Sequence, residues 1–396
     1  MRVELISMLL VGNLLLSCSV SNEKKMIDIV DEALVFAEKQ SLVMAGNFAD
    51  ADNKYPRTFN EGKMVVSGSD WWCSGFFPGV LWYLYENSNN PKLLKYAKKY
   101  TSGIEKEKDN TGTHDLGFMI YCSFGNGHRL TNDNSYRNIM LTGAASLATR
   151  YNEKIGLIRS WDFGDWQYPV IIDNMMNLEY LFWAAKVSGN DFYKNLSISH
   201  ADKTMENHYR NDYSCFHVVS YDTITGLPEK KQNFQGYDDG SAWSRGQAWG
   251  MYGYVVMYRE TKDKRYLEQA KRIADYTLNH PNMPEDYIPY WDYVATGIPD
   301  EPRDASAAAI MASALIEMSS YVDKELSDKY IKVAEIQLRT LASPSYTSAL
   351  GENGGFILLH SVGSKAHNSE VDVPLTYADY YYVEALMRYK KLMKTI

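Results

Sequence analysis

Residues 175–209 read MMNLEYLFWAAKVSGNDFYKNLSISHADKTMENHY. Apolar residues recur at helical spacing over 175–188 and again over 190–209, and Gly189, Asn190 and Asp191 lie between the two runs. Glycine is common just after a helix, and asparagine or aspartate commonly caps the start of the next one. The stretch therefore predicts a helical hairpin.

The same hairpin pattern recurs along the chain. Polar joins of similar composition lie at 89–93, 262–266 and 326–330, and a second amphipathic run follows each of them. The runs with helical spacing are 26–45, 78–87, 91–108, 132–151, 175–188, 190–209, 242–259, 264–280, 305–321, 326–344 and 374–393. No comparable run shows the alternation of a strand.

Eleven or twelve helices in repeating pairs are compatible with an open solenoid or with a closed ring. The joins are irregularly spaced, and long inserts rich in glycine and aromatic residues separate the pairs, which favours the ring. We predict an all-α fold, an (α/α)6 barrel of six hairpins, in which the inserts build one funnel-shaped mouth. Concave mouths of this kind are where small ligands bind.

Composition sets limits on function. The 396 residues are 45% apolar and 23% charged, which excludes disorder as the main state. Forty-nine acidic against 41 basic residues give a net charge of −8, opposite in sign to a general nucleic-acid binder. The 31 Tyr, 9 Trp and 13 Phe suit stacking on sugar rings, although a large helical core also uses aromatic residues.

The N-terminus has the features of an export signal. Arg2 precedes an apolar run that is shorter than the roughly 20 residues of a membrane-spanning helix. The run ends in Leu15-Leu16-Ser17-Cys18, which resembles the lipobox of bacterial lipoproteins; an ordinary signal peptide with a chance cysteine is the alternative. We predict a signal peptide over 1–17, lipidation of Cys18, a tether over 18–25 and a single domain over 26–396. The protein would work in the bacterial periplasm or at the cell surface, bound to the membrane only by its lipid anchor.

Two acidic residues are candidates for catalysis. Asp115 and Asp173 are flanked by apolar residues, and two carboxylates in such a setting can separate their pKa values so that one stays protonated near neutral pH. Each could instead be a helix N-cap. Arg245 could bind a carboxylate or form a structural ion pair, and His217, near Asp212 in sequence, could bind a ligand or be structural. The remaining cysteines form no CxxC pair, so we predict no metal site.

Three motifs carry a likeness to a known family. They are H-D-L-G-F at 114–118, I-I-D-N-M-M-N-L-E at 171–179 and W-S-R-G-Q-A-W-G at 243–250. In this order and spacing they resemble glycoside hydrolase family 88, the unsaturated glucuronyl hydrolases, over nearly the whole mature chain. The resemblance implies an (α/α)6 barrel, no cofactor, and release of unsaturated uronic acid from oligosaccharides left by polysaccharide lyases. It further implies that Asp173 is the general acid and base, that Asp115 is its partner, and that the sugar site is lined by Trp72, Trp161, His217, Gln235, Arg245 and Trp249.

A stretch near the C-terminus bears on substrate choice. Relatives acting on sulfated glycosaminoglycan disaccharides contact the sulfate with Ser-x-x-Ser-x-Lys; here Ser361, Ser364 and Lys365 occupy that stretch, with the lysine one residue early. Sulfate contact and a simple surface loop are both open. The expected partners are unsaturated oligosaccharides of the chondroitin, hyaluronan or heparin type. A glycan-binding lipoprotein without catalysis, an unsaturated rhamnogalacturonyl hydrolase and a sugar epimerase are the alternatives, and the chain could be a monomer or a homodimer.

Overall fold

The computed structural model describes residues 24–48 and 52–394. The predicted signal peptide and Cys18 lie outside the described residues. The described chain is mostly helical. Its twelve α-helices are α1 (Met26–Asn47), α2 (Phe76–Ser88), α3 (Pro91–Ser102), α4 (Asn126–Thr131), α5 (Asn134–Ala148), α6 (Leu178–Ser188), α7 (Asp191–Asn207), α8 (Ser244–Thr261), α9 (Lys264–Leu278), α10 (Ala305–Met318), α11 (Lys324–Leu341) and α12 (Thr376–Met393). No helix among these residues is both long and apolar enough to cross a membrane.

The predicted joins form tight two-residue connections. Asn89, Gly189 and Lys262 end one helix in the left-handed region, with φ of 56°, 71° and 59°. The next residue, Asn90, Asn190 or Asp263, is extended, and its side chain accepts a hydrogen bond from the first turn of the following helix. The left-handed residue reverses the chain and the cap satisfies an orphan N–H group, so two residues suffice to pair antiparallel helices.

The fourth predicted join is wrong. Residues 326–330 lie inside α11, which begins at Lys324, and Asp323 is its cap through a 3.0 Å bond from the Leu326 amide. Asp328 instead pairs with Lys324 at 2.7 Å across one helical turn. A serine and an aspartate near a helix start therefore look like a cap in the sequence, although here they face solvent in the first turns.

The sequence reading also missed a helical segment and all the strands. Residues 117–131 form a π-helical stretch (Gly117–Gly125) that continues into α4. Nine short strands occur between helices: β1 (Tyr55–Asn60), β2 (Lys63–Ser67), β3 (Tyr151–Asn152), β4 (Leu157–Ile158), β5 (Pro169–Ile171), β6 (Val218–Tyr221), β7 (Pro228–Gln232), β8 (Ser361–Ser364) and β9 (Ser369–Val373). They pair antiparallel as β1–β2, β3–β4, β5–β6–β7 and β8–β9. Two to six residues are too few for an alternation to be recognised.

Helix packing places these inserts together. α12 packs against α2 and α10, α10 against α8, and α8 against α6; the 117–125 segment packs against both α2 and α6. Each of these six elements also packs against one further helix, the pairs being α2–α3, 117–125 with α5, α6–α7, α8–α9, α10–α11 and α12–α1. These elements bury one another extensively: thirteen of the fourteen residues of α10 are buried. Because most inserts connect the second helix of one pair to the first of the next, they gather at the same end of the helical body.

Candidate active site

Two cavities are candidates for the active site. The larger, about 760 Å³, lies at the C-terminal ends of α2, α4 and α12. Its charged groups satisfy one another: Arg259 pairs with Glu179 at 2.6 Å and Arg388 with Glu384 at 3.2 Å. The smaller, about 200 Å³, is lined by residues of the inserts. Several polar atoms of buried side chains at or next to this second cavity have no hydrogen-bond partner among the described residues, and these atoms are Asp173 Oδ2, His114 Nε2, His217 Nε2 and Trp249 Nε1. Because buried polar groups are normally paired, this cavity is the one prepared for a ligand.

Asp173 lies at the wall of the smaller cavity, in the first turn of a 3-10 segment between β5 and α6. Its side chain caps no helix, so the capping interpretation does not hold. The pKa of Asp173 is raised to about 7: burial raises it most, the charge of Arg245 opposes the rise, and the nearby charge of Asp115 adds to it. This carboxyl group is therefore partly protonated at neutral pH, as a general acid must be.

Asp115 lies at the same wall, just before the 117–125 segment. Its Oδ2 accepts a 2.9 Å hydrogen bond from the Thr113 hydroxyl, and its Oδ1 lies 3.3 Å from Nε2 of His114. The backbone amide of Gly117 donates to the side chain of Asn177 at 2.9 Å. That bond ties the segment of Asp115 to the 3-10 segment of Asp173 and explains why two residues 58 positions apart in sequence meet.

His217 and two tryptophans pack around Asp173. The Gln235 amide donates to Nδ1 of His217 at 3.1 Å, so the proton of the neutral ring is on Nε2, which lies 3.6 Å from Asp173 Oδ2. Burial lowers the pKa of His217 well below its usual value and keeps the ring neutral. Trp161 lines the cavity and meets His217 edge to face, with 5.5 Å between ring centroids. Trp249 lies in α8, and its indole lowers the pKa of Asp173. Asp212 is not involved, because it accepts hydrogen bonds from Ser214.

Arg245 lines the cavity but its guanidinium is occupied by protein groups. It lies 3.3 Å from Asp304 and donates at 3.1 Å to Gln235 Oε1 and at 2.6 Å to the Gly363 carbonyl. It also donates to the Val362 carbonyl. Only 3% of its surface is exposed. The structure thus makes Arg245 an ion-paired anchor between α8 and the β8–β9 hairpin whose positive charge faces Asp173.

The comparisons with known proteins agree with this geometry. The sequence matches no family model. An unsaturated glucuronyl hydrolase of Formosa agariphila is 44% identical over 352 residues, 88% of this chain and 87% of the relative. An unsaturated chondroitin disaccharide hydrolase of Streptococcus agalactiae is 34% identical over 369 residues, 91% of this chain and 92% of the relative. The crystal structure of an unsaturated glucuronyl hydrolase specific for heparin is 47% identical, with a TM-score of 0.88 over 92% of this chain and 99% of that chain.

This chain belongs to the unsaturated glucuronyl hydrolases.

The resemblance to glycoside hydrolase family 88 is thereby confirmed, and the chain is a hydrolase. Of the residues named from the sequence, Trp72, Asp115, Trp161, Asp173, Gln235, Arg245 and Ser364 line one cavity of this hydrolase. Trp249 and His217 lie directly behind them. Trp72 packs against Tyr377, with 4.9 Å between ring centroids. These positions converge although they are spread over some three hundred residues of sequence.

The three residues expected to bind sulfate are not brought together. Ser361 is fully buried in β8, and Lys365 turns away to form an ion pair with Glu301. Only Ser364 faces the cavity, and its hydroxyl is 2.8 Å from Nδ1 of His367. With Ser361 buried and Lys365 paired with Glu301, sulfate contact by the three residues together stays a prediction.

Sequence reasoning overlooked several lining residues of this hydrolase. They are Arg57, Trp71, His114, Glu370 and Tyr377. His114 lies inside the H-D-L-G-F motif, so its signal was present. Arg57 and Glu370 lie on the hairpins β1–β2 and β8–β9, where no local pattern marks them. Among the described residues, no group of three or more His, Cys, Asp or Glu side chains could hold a metal ion.

Proposed function

We propose that this protein releases Δ4,5-unsaturated uronic acid from the non-reducing end of glycosaminoglycan oligosaccharides by hydrating the C4=C5 double bond. The observation that carries the proposal is a buried carboxyl, Asp173, with a pKa near 7 and an unpartnered oxygen at a cavity wall, beside a second carboxylate, Asp115. The named activities of the relatives and the heparin specificity of one similar structure support this substrate class.

The reaction we propose uses Asp173 twice. Protonated Asp173 gives its proton to C4, and the positive charge that develops at C5 is stabilised by the ring oxygen. The carboxylate formed then takes a proton from the water that adds at C5. The resulting hemiketal opens to a ketone at C5, and the hemiacetal at C1 collapses to an aldehyde and the free alcohol of the next sugar. No covalent bond to the enzyme is needed, in contrast to retaining glycosidases.

Neighbouring groups would set the protonation states. The charge of Asp115 keeps the proton on Asp173, and the Nε2–H of neutral His217 is oriented toward Asp173 Oδ2. Arg245 limits the rise of the Asp173 pKa, so that the acid can also serve as a base after the first proton transfer. Trp72 and Trp161 line the cavity, where their indole rings would stack against a sugar.

We also propose that the helices close into the (α/α)6 barrel. The cyclic order of packing, from α2 through the 117–125 segment, α6, α8, α10 and α12 back to α2, supports an inner ring of six elements. A pair of helices at each position supports the outer ring.

For the N-terminus we propose lipidation of Cys18 and a periplasmic or cell-surface location. Labelling of wild-type protein and a Cys18→Ala variant with radioactive palmitate in a bacterial host tests this.

The experiment that tests the function is an ultraviolet assay on unsaturated disaccharides of chondroitin, hyaluronan and heparin. Hydration removes the conjugated double bond, so turnover lowers the absorbance. Wild-type protein should be active, Asp173→Asn should lose at least about a thousandfold, and Asp212→Asn is a matched control that should keep its activity. Binding of these disaccharides without any loss of absorbance would overturn the proposal in favour of a glycan-binding protein.

A further inference from the structure

One cation at the cavity rim is not part of the chemistry described above. Arg57 lies in β1 and lines the cavity together with Trp71 and Glu370. Its guanidinium carbon is 4.3 Å from the centroid of a Trp71 ring, and Nη2 donates to Glu370 Oε1 at 2.8 Å. Its Nε has no hydrogen-bond partner among the described residues. The planar face of Arg57 is thus held on an indole while its donor edge remains incompletely used.

The other basic groups near the cavity are already neutralised. Arg245 has Asp304 and three further acceptors, and Lys365 is paired with Glu301. The whole chain carries a net charge of −8, so an anion gains nothing from the overall field. Among the lining residues, Arg57 is therefore the cation best able to exchange its protein partner for a ligand.

We propose that Arg57 is the specificity-determining residue for an anionic substituent, a sulfate in particular, on the sugar that follows the unsaturated uronic acid; this rests on the proposed function. A guanidinium fork matches the oxygens of a sulfate group, and Trp71 fixes its plane. Glu370 occupies the guanidinium when no substrate is bound. The side chains of Arg57 and Glu370 are 23% and 18% exposed, so their ion pair is accessible from the mouth of the cavity.

Glu370 should influence substrate selectivity as well. A sulfate must compete with its carboxylate for Arg57, so Glu370 weakens the binding of sulfated substrates and has little effect on unsulfated ones. The expected effects of the two side chains on substrate selectivity are therefore opposite in sign. If the pair merely held the β1–β2 and β8–β9 hairpins together, removing either partner would act in the same direction.

The test measures kcat and KM on heparin-type unsaturated disaccharides that are unsulfated, N-sulfated or 6-O-sulfated. For Arg57→Gln the ratio of sulfated to unsulfated KM should rise about tenfold, equivalent to about 1.4 kcal/mol. Arg57→Lys should restore part of that ratio, and Glu370→Gln should lower the ratio below the wild-type value. Arg272→Gln, which removes an exposed cation of α9 paired with Glu268, is the control for net charge. The N- and 6-O-sulfated substrates show which position the site serves.

Three results would overturn the assignment. They are an unchanged ratio in Arg57→Gln, a ratio that also rises in Glu370→Gln, and an equal loss on all substrates accompanied by a lower unfolding temperature. If wild-type protein turned over no disaccharide at all, the proposed function would fail instead. The role of Arg57 is then decided by titration calorimetry with the sulfated and unsulfated disaccharides, where equal affinities of wild type and Arg57→Gln refute it.

Discussion

At the scale of single residues, the site is defined by how unequal its two carboxyl groups are. Asp173 is buried, and an oxygen of its carboxyl has no protein partner. Asp115 accepts a hydrogen bond from the hydroxyl of Thr113. Desolvation favours the neutral form of Asp173, and the Thr113 hydroxyl orients the carboxyl group of Asp115. In the proposed reaction, the same residue type thus supplies both the proton donor, Asp173, and its acidic partner, Asp115.

The pH dependence of turnover should reflect this inequality. Because the pKa of Asp173 is raised to about 7, its protonated fraction falls as the pH rises through 7. We expect kcat/KM to decline on the alkaline side with a midpoint near that value. In Asp115→Asn the raising charge is absent, so the limb should move to lower pH while the residual rate drops. An alkaline limb that stays in place in Asp115→Asn would contradict the coupling of the two groups.

Replacing Asp173 should affect stability and activity in opposite directions, although both decline in the wild-type protein as the pH rises through 7. Between the ordinary pKa of an aspartate, 3.8, and about 7, folded Asp173 holds a proton that the unfolded chain has lost. Its contribution to stability is therefore present at acid pH and is lost as the pH rises through 7. Asp173→Asn should be more stable than wild type by about 1–3 kcal/mol at pH 8 and by much less at pH 4. Urea unfolding at the two pH values measures this; an equal difference at both would refute it.

At the scale of elements, the close approach of two segments fixes the site. Gly117 is the point where the segment of Asp115 comes closest to the 3-10 segment of Asp173. A Cβ placed at Gly117 would lie 3.0 Å from the Cα of Asn177 and closer still to its amide oxygen. The Gly117 amide also donates to that oxygen. A side chain of any size would therefore push apart the segments that carry Asp115 and Asp173.

Gly117→Ala should consequently lower both kcat and the free energy of unfolding. We expect a loss of at least about tenfold in kcat, because misplacement by about 1 Å is enough to cost a hundredfold, with an unfolding free energy reduced by about 1–3 kcal/mol. Gly46→Ala is a matched control, since a Cβ at Gly46 has no atom within 4 Å. Near-normal kcat in Gly117→Ala would show that the separation of the two carboxyl groups is not critical.

At the scale of the whole molecule, buried acidic side chains of α12 hold it to the segment before β8, to α8 and to α10. Buried Asp379 accepts hydrogen bonds of 2.9 Å from the amides of Ile357 and Leu358, far from it in sequence. Glu384, one turn further, accepts from Tyr252 in α8 and Ser313 in α10. These carboxylates join the C-terminal helix to three other parts of the chain.

Removing the first of these anchors should destabilise the entire molecule. Asp379→Ala leaves two buried backbone donors without an acceptor, at about 1–3 kcal/mol each. We expect a fall of about 2–5 kcal/mol in the free energy of unfolding, and a smaller fall in Asp379→Asn, whose amide oxygen keeps one acceptor. Asp328→Ala, exposed on α11, should change stability by less than about 0.5 kcal/mol. A loss in Asp379→Ala no greater than in Asp328→Ala would show that this anchor is dispensable.

The sequence predicts most of the helices, three of the four joins between paired helices with their caps, and Asp115 and Asp173 as candidate catalytic acids. These depend on local spacing, on capping chemistry and on motifs that keep their residues adjacent. Only the tertiary structure decided which side chains meet. In the folded chain Arg245 is paired with Asp304 and Lys365 with Glu301, and Ser361 is buried. Arg57 and Glu370 meet at the cavity rim although their hairpins are more than 300 positions apart in sequence. Burial and long-range pairing depend on the packing of all the helices together, and no local pattern encodes them.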